Sequence, residues 1–293
     1  METLRFGLHW PSGDIPGGQT ILKYVRVRVA NAHCYGFLGE ELKNASFLLF
    51  GETVPFLEDT GSLYKVLVFG KYEEFIDPSR VTDELIEPTH FISVPYARVV
   101  EDADVKSPRA VKMLGSEYLR FTSPVRVLEE VDRGTGRHVL VDGAGWIPAN
   151  TVRRIGDFFP DFVEVVRMLK GASVYGHGER GGLSGDCSSI IQSACLACGI
   201  PCPRIAGDIA REFGEPLPLS TLNGGLRRGD IICWVGHVGV MLDAETILHS
   251  SEWTMGIAEE PLRDLIDRRR EREPSGKTEV TAIRRLPGYQ QLP

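Results

Sequence analysis

The sequence lacks the features of a membrane-spanning or exported protein. It contains no stretch of roughly 18 uncharged apolar residues, which excludes a transmembrane helix. Residues 1–10 lack the basic segment followed by an apolar segment that marks a secretory signal peptide. We therefore expect a cytoplasmic protein without a membrane partner. A periplasmic or secreted setting would apply only if a leader had been removed.

Negative charge outnumbers positive charge, and the cysteines are clustered rather than spread along the chain. The 33 lysines and arginines stand against 40 aspartates and glutamates, giving a net charge of −7, which argues against a nucleic-acid partner. Four of the six cysteines lie within residues 187–202. Such clustering does not suit a disulfide framework in a long chain, so it indicates a reducing environment. The composition does not indicate an oligomeric state.

What is present is typical of a soluble globular protein of two or three domains: 293 residues, 42% of them apolar and 25% charged. Residues 1–20 are rich in glycine and proline and predict an irregular segment. Short strands separated by turns then fill residues 21–87 and again 88–156. We expect two small β-barrels there, and an α+β domain over 157–293.

Within the last domain, apolar spacing predicts helices over Phe162–Leu169 and Ser188–Cys198, separated by a glycine-rich loop. Strands are predicted over Ile231–Leu242 and Thr246–His249. The charged run Arg268–Glu273 has mixed signs, which predicts a solvated surface turn rather than a nucleic-acid patch.

Cys187 follows Gly185-Asp186 and begins the second predicted helix. A helix N-terminus has unpaired N–H groups and a partial positive charge, and both favour a thiolate. Cys187 is therefore a candidate nucleophile. Asp186 has two interpretations: its carboxylate caps the helix, or it faces the cleft and binds a substrate ammonium.

Two histidines follow Cys187. A hairpin centred on residues 243–245 would place His249 opposite or nearly opposite Gly239, on the face that His237 shares, roughly 5–8 Å from His237. A neutral His237 would take the proton of Cys187, or the two would form a thiolate–imidazolium pair, while His249 orients the ring of His237. The alternative is two histidines satisfied within a sheet.

Other chemistry is less well supported. A metal site formed by all four clustered cysteines is disfavoured, because eight helical residues separate Cys187 from Cys195 by roughly 12 Å. Cys198 and Cys202 could meet, but both flank an apolar stripe, where cysteine serves as a small buried residue. The glycines of the loop do not fit the order of a phosphate-binding loop, and no lysine follows them. Trp146 and Trp234 are predicted to be packing residues. We therefore expect no metal and no cofactor.

These residues resemble the NlpC/p60-type papain-like cysteine peptidases that carry two N-terminal bacterial SH3-like domains. Tyr175 lies twelve residues before Cys187, and Asp186-Cys187-Ser188 matches the motif around the nucleophile. Gly-His237-Val-Gly-Val matches the motif of the base, and His249 matches the third polar residue. Two further segments are similar to the family pattern: Leu226–Ile231, which leads into the central strand, and Gly145–Pro148, which closes an SH3-like barrel.

The resemblance implies hydrolysis of the γ-D-glutamyl–diamino acid bond in murein peptide fragments, with a requirement for a free N-terminal L-alanine. It implies Cys187 as nucleophile, His237 as base and His249 as its orienting partner. Tyr175 and the Cys187 N–H are candidates for the oxyanion site, and Asp186 with Ser188 for the ammonium site.

Three residues depart from the family pattern: His177 replaces a tryptophan, and Glu179 and Ser189 replace glycines. They indicate an altered substrate pocket. Two alternative functions follow: a thiol-dependent amidase or acyltransferase on the same scaffold, or a cell-wall binding protein with weak catalysis.

Overall fold

The computed structural model describes residues 20–38, 41–103, 109–111, 116–133 and 136–289. The predicted irregular segment 1–20 lies outside this part of the chain except for Thr20. Internal contacts divide the chain into two units. The first runs to Phe158 and includes Gly181–Leu183, and the second contains Phe159–Arg180 and the chain from Ser184.

The first unit begins with a seven-stranded antiparallel sheet in the order β3-β2-β6-β5-β4-β1-β7. Its strands are β1 (Lys23–Val27), β2 (Asn31–Leu38), β3 (Glu41–Leu49), β4 (Thr53–Asp59), β5 (Tyr64–Val68), β6 (Tyr72–Ile76) and β7 (Val81–Thr82). Val25, Val27, Val54 and Val66 are fully buried in the core that these strands share. A short 3₁₀ helix, Pro78–Arg80, precedes β7.

The rest of the first unit holds three small antiparallel sheets. Their strands are β8 (His90–Ile92), β9 (Tyr96–Arg98), β10 (Tyr118–Arg120), β11 (Pro124–Val125), β12 (Val127–Arg133), β13 (Gly136–Val141), β14 (Gly145–Pro148) and β15 (Val152–Arg154). Their core includes Ile92, Val139 and Ile147, and it also takes in Ala30 and Phe50 from the preceding stretch. The interpretation of these sheets as SH3-like barrels stays a prediction, as do the domain limits.

The second unit is an α+β arrangement around an eight-stranded sheet. Its helices are α1 (Phe162–Leu169), α2 (Cys187–Ala197), α3 (Ala206–Glu212) and α4 (Leu262–Arg272). Its strands are β16 (Val174–Tyr175), β17 (Ser184–Gly185), β18 (Glu215–Leu217), β19 (Ile231–Trp234), β20 (His237–Met241), β21 (Thr246–Ser251), β22 (Gly256–Pro261) and β23 (Val280–Arg285). The strand order is β17-β16-β22-β21-β20-β19-β23-β18, and α2 packs against β20 and β21.

The two helices expected in this domain are confirmed. α1 has the predicted limits, and the carboxylate of Asp161 caps it by accepting from the backbone N–H of Val163 at 2.8 Å. α2 begins one residue earlier than predicted, at Cys187, and ends at Ala197. No helix in the described part of the chain is long and apolar enough to cross a membrane.

Two predictions for this unit are wrong. The single strand expected over Ile231–Leu242 is a hairpin, because Val235 and Gly236 form a turn in which Gly236 has a φ of 74°. The run Arg268–Glu273 is mostly helical, since α4 continues to Arg272. Leu262, Leu265 and Arg269 give that helix its buried face, so Arg269 is only 4% exposed despite its charge.

Candidate active site

Cys187 is the first residue of α2, directly after the residue that caps the helix. The carboxylate of Asp186 accepts a hydrogen bond from the backbone N–H of Ser189 at 2.8 Å, which confirms the capping interpretation. The cap fixes the first turn of α2, and α2 packs on β20. The nucleophile candidate is therefore held against the strand that begins with His237.

The sulfur of Cys187 lies against the backbone on both sides of His237. Its Sγ is 4.0 Å from the carbonyl oxygen of Gly236, and it accepts hydrogen bonds from the backbone N–H groups of Val238 and Ser188. The residue is 7% exposed. The thiol is thus placed next to the candidate base by main-chain contacts.

Burial makes this thiol a weaker acid than the sequence suggested. Loss of hydration, followed by repulsion from Asp186, raises the pKa of Cys187 to about 12. The hydrogen bonds from Val238 and Ser188 lower the pKa but do not outweigh burial. The expectation that the helix start yields a thiolate is therefore wrong for the resting protein, in which the thiol is protonated.

The predicted hairpin brings the two histidines together. Val240 pairs with Leu248 and Met241 with Ile247, which places Gly239 opposite His249 as expected. The Nε2 of His237 lies 3.1 Å from the Nδ1 of His249, and the rings meet edge to face with centroids 5.1 Å apart. The structure therefore joins two of the predicted catalytic residues by a direct hydrogen bond.

Gly239 leaves the space that this contact needs. A Cβ at residue 239 would lie 2.6 Å from the Cδ1 of Ile247 and 3.1 Å from the Cβ of His249. Both separations are shorter than ordinary van der Waals contact. The absence of a side chain here lets Ile247 and His249 pack across the hairpin, with His249 diagonal to His237.

A glutamate that the sequence analysis did not identify completes the contacts of His249. In the β21–β22 ladder His249 pairs with Ala258, so Glu260, two residues along β22, lies diagonally across on the same face. The Oε1 of Glu260 is 2.7 Å from the Nε2 of His249. Arg268, on α4, donates to the same oxygen. No motif in the sequence marks this carboxylate, which lies eleven residues beyond His249.

The charge states of His237 and Glu260 follow from their surroundings. Burial first, then the proximity of His249 and Arg269, holds the pKa of His237 well below its usual range, so the imidazole is neutral at neutral pH. Burial alone would raise the pKa of Glu260, but the hydrogen bonds from His249 and Arg268 outweigh it and lower the pKa. Glu260 is therefore a carboxylate.

Both carboxylate oxygens of Asp186 accept hydrogen bonds from within the protein. Its Oδ1 accepts from Arg204 Nη1 at 2.9 Å, and its Oδ2 accepts from Arg204 Nη2 at 2.6 Å and from the Gly178 N–H at 3.1 Å. Ser188 also donates to Oδ1, at 3.1 Å, and accepts from Arg204. The expected ammonium site at Asp186 and Ser188 is not favoured, because a buried guanidinium already occupies the carboxylate.

Arg204 was also missed in the sequence, since it lies 18 residues beyond Asp186 with no motif around it. It is 3% exposed, and its Nη2 continues to the carbonyl oxygen of Gly178 at 3.0 Å. Arg204 therefore joins the glycine-rich loop to the start of α2.

Tyr175 lies on β16, within electrostatic reach of the thiol. Burial, followed by repulsion from Cys187 and Asp186, raises the pKa of Tyr175 to about 12. Its hydroxyl is therefore protonated at neutral pH and able to donate a hydrogen bond. This is the property that an oxyanion-stabilising group needs, although the role itself stays a prediction.

Two of the three residues that depart from the family pattern are bound locally. The Glu179 carboxylate accepts from the Ser184 hydroxyl, and the Ser189 hydroxyl donates to the Asp186 carbonyl at 3.1 Å. Both side chains therefore brace the loop and helix start. In the described part of the chain, no group of three or more His, Cys, Asp or Glu residues is arranged to hold a metal ion.

Comparison with known proteins identifies the fold of the chain. No family model and no curated protein matches the sequence. Among solved structures, an NlpC/P60 family protein from Bacillus cereus is similar over 90% of this chain and 99% of its own, with 17% identity and a TM-score of 0.68. At that identity the likeness shows a shared fold.

The likeness to two further solved structures is weaker. NlpC2 from Trichomonas vaginalis is 17% identical over 90% of this chain and 97% of its own, with a TM-score of 0.41. The peptidoglycan hydrolase RipB from Mycobacterium tuberculosis is 21% identical over 43% of this chain and 62% of its own, with a TM-score of 0.33.

Proposed function

We propose that this protein is a cysteine peptidase that hydrolyses the γ-D-glutamyl–diamino acid bond of murein peptide fragments. The observation that carries the proposal is the position of the Cys187 sulfur. It lies between the backbone of Gly236 and that of Val238, while the intervening His237 is hydrogen-bonded to His249. Nucleophile, base and orienting group are thereby assembled from three adjacent elements.

The reaction begins from a neutral thiol and a neutral imidazole. As the sulfur of Cys187 bonds to the scissile carbonyl carbon, its proton passes to the Nδ1 of His237, and the carbonyl π electrons move to oxygen. The Cys187 N–H and the Tyr175 hydroxyl stabilise that oxyanion. Collapse breaks the C–N bond, and the leaving amine takes the proton from His237.

The resulting thioester is then hydrolysed. His237 removes a proton from water, the oxygen bonds to the acyl carbon, and the C–S bond breaks. The sulfur recovers its proton from His237, and the acyl group leaves as a carboxylic acid. The initial state of Cys187 and His237 is restored, so no cofactor or redox partner is consumed.

The substrate class rests on the sequence resemblance and on the shared fold with the Bacillus cereus NlpC/P60 protein. The proposal includes SH3-like domains at 21–87 and 88–156 ahead of the catalytic domain at 157–293. Support for the first two comes from the sheets and apolar cores that their strands form.

A requirement for a free N-terminal L-alanine would need a carboxylate that is available to the substrate ammonium. One of the two interpretations of Asp186 made it the ammonium site, but its carboxylate is already paired with the Arg204 guanidinium. We therefore propose that the peptide is recognised without an ion pair between its N-terminus and Asp186.

The test is mass spectrometry of defined L-alanyl-γ-D-glutamyl-diamino acid peptides after incubation with the parent protein, Cys187→Ala and Cys198→Ala. Cys198 is a matched control because it lies at the other end of α2. We expect the parent and Cys198→Ala to release the L-Ala–D-Glu dipeptide and Cys187→Ala to release none.

Two results would replace the proposal with its alternatives. Transfer of the acyl group to an added amine in preference to water would indicate an acyltransferase. Binding of murein peptides by both the parent and Cys187→Ala, without turnover by either, would indicate a binding protein.

A further inference from the structure

Four side chains from four elements form one continuous line of polar contacts that ends at the candidate base. Arg268 on α4 donates to the Oε1 of Glu260 on β22, and that oxygen is 2.7 Å from the Nε2 of His249 on β21. The Nδ1 of His249 is 3.1 Å from the Nε2 of His237 on β20. His249 is fully buried and His237 is 7% exposed, so most of the line is shielded from water.

The protons along this line follow from the charge at its far end. Glu260 is ionised, because Arg268 and His249 together lower its pKa against the effect of burial. An ionised carboxylate only accepts hydrogen bonds, so the Nε2 of His249 must carry a hydrogen. The 3.1 Å contact between the two rings needs one hydrogen, and a His249 that carries its single hydrogen on Nε2 accepts at Nδ1 from the Nε2–H of His237.

The same arrangement determines whether the Nδ1 of His237 carries a hydrogen. The neutral imidazole of His237 carries one hydrogen, and in this arrangement that hydrogen is on Nε2. Its Nδ1 is therefore unprotonated and able to receive a proton. The other charged and titratable groups near His237 are Arg269 on α4, which disfavours the imidazolium, and the Cys187 thiol on α2, whose sulfur contacts the adjacent backbone.

We propose that Glu260, held by Arg268, is a positioning residue that sets the tautomers of both histidines and so leaves the Nδ1 of His237 free to accept the proton of the nucleophile. The inference deepens the proposed function and rests on it for its catalytic meaning. It adds a fourth residue to the predicted triad, because His249 orients His237 only when Glu260 holds the tautomer of His249.

Glu259 provides a matched control. It precedes Glu260 on the same strand, and alternation turns its side chain to the opposite face of the sheet. There its Oε2 lies 2.9 Å from Lys170 Nζ and 3.8 Å from Arg167 Nε. Replacing Glu259 removes one carboxylate and its ion pairs from β22 without touching either histidine.

The direct test is the ¹⁵N-detected tautomer of each imidazole by NMR, with histidine-labelled parent, Glu260→Ala and Glu259→Ala proteins. The chain has seven histidines, so site assignments can come from single substitutions. We expect both His237 and His249 to carry Nε2–H alone in the parent and in Glu259→Ala. In Glu260→Ala, His249 should become a mixture of tautomers, and His237 should follow it.

Three results would overturn the proposal: an Nδ1–H on His237 in the parent, a doubly protonated His249 in the parent, or unchanged tautomers in Glu260→Ala. His90 and His138 lie in the first unit, so their unchanged signals would show that the first unit of each variant is intact. A thermal melt checks the unit that contains the substitution.

Turnover gives the second readout. In a nucleophile–imidazole–carboxylate triad, an incorrect imidazole tautomer lowers kcat about 10⁴-fold. We expect Glu260→Ala to lower kcat by roughly 10²-fold or more with little change in KM, and Glu259→Ala to leave both near the parent values. Equal kcat values for the two variants would overturn the proposal.

The two readouts separate this inference from the proposed function. The expected tautomers in a parent protein that cleaves no murein peptide would remove the proposed function and leave the proton arrangement standing. Cleavage that depends on Cys187 but not on Glu260 would support the proposed function and remove the positioning role of Glu260.

Discussion

The guanidinium of Arg204 donates to both carboxylate oxygens of Asp186, at 2.9 and 2.6 Å, immediately before the candidate nucleophile. Burial would raise the pKa of Asp186, but attraction and hydrogen bonding to Arg204 lower it, so the pair is ionised. The ion pair holds the cap of α2 in place and removes the negative charge that a cationic substrate group would need.

Replacing Arg204 should destabilise the protein strongly. In Arg204→Met the Asp186 carboxylate would be left buried without its cation, and breaking a buried pair on one side costs about 3–5 kcal/mol. The measurement is the free energy of unfolding from urea titrations at neutral pH, followed by a probe in the second unit.

Arg270→Met is the control for this change. Arg270 pairs with Glu279 at 3.2 Å on the surface, with both side chains more than half exposed. Exposed pairs contribute about 0–1 kcal/mol, so this variant should unfold near the parent. Equal losses in the two variants would contradict a special role for the Arg204–Asp186 pair.

Acetylating the N-terminus of the peptide substrate should have little effect on kcat/KM. A substrate ammonium bound to a free carboxylate contributes about 1.5–3 kcal/mol, so its removal would lower kcat/KM roughly 10- to 150-fold. Because Arg204 occupies Asp186, we expect a change of less than about threefold, well below that loss. Comparison of acetylated and free forms of one peptide measures it, and a loss of the larger size would show that some carboxylate does bind the ammonium.

The pH dependence of Cys187 alkylation should distinguish a neutral thiol from a thiolate–imidazolium pair. With a pKa of about 12, the thiol loses its proton only at high pH. At about pH 7 roughly one molecule in 10⁵ then carries the thiolate, which is the reactive form. The rate of iodoacetamide labelling should rise with pH from about 6 to about 9 without a plateau.

The label is quantified by mass spectrometry of the peptide that contains Cys187, with a small model thiol as the reference. We expect Cys187 to react more slowly than the model thiol at every pH. Rapid labelling that stays constant below neutral pH would indicate an ion pair with His237 instead.

The contacts of His237 and His249 could be predicted because they depend on local alternation. The polar break at residues 243–245 gave the hairpin, and strand parity gave the shared face, so the pairing of Gly239 with His249 followed. The limits of α1 likewise followed from apolar spacing. These features need only the period of an element and the place where it turns.

The partners of those residues could not be predicted, because they come from distant parts of the chain. Arg204 meets Asp186 across 18 residues, and Arg268 meets Glu260 only because α4 folds back along β22. The mixed charges of Arg268–Glu273 predicted a solvated turn. In the structure the segment is mostly helical, and the guanidinium carbon of Arg269 lies 5.3 Å from the ring centroid of Trp234. Burial also reversed the expected acidity of Cys187, and no single-residue pattern reports burial at a helix start.

Adding one methyl group at residue 239 should impair turnover while leaving most of the fold intact. In Gly239→Ala the new Cβ would lie 2.6 Å from Ile247 Cδ1 and 3.1 Å from His249 Cβ, so the end of the Ile247 side chain must turn away and His249 must shift by a few tenths of an ångström. A displacement of about 1 Å in a catalytic group lowers the rate about 10²-fold, so for this smaller shift we expect a smaller loss in kcat, roughly 10-fold. Gly207→Ala is the matched control, because a Cβ there meets only the flexible end of Arg211 at 3.4 Å.

Gly207 lies inside α3, where alanine is favoured over glycine by about 1 kcal/mol, so the control should be as active as the parent and slightly more stable. The His237–His249 hydrogen bond supplies an independent measurement. Its imidazole ¹⁵N signals should shift in Gly239→Ala and stay in place in Gly207→Ala. Full activity in Gly239→Ala would mean that the diagonal packing of the two rings is not required for catalysis, and the assignment of His249 as the orienting residue would have to be abandoned.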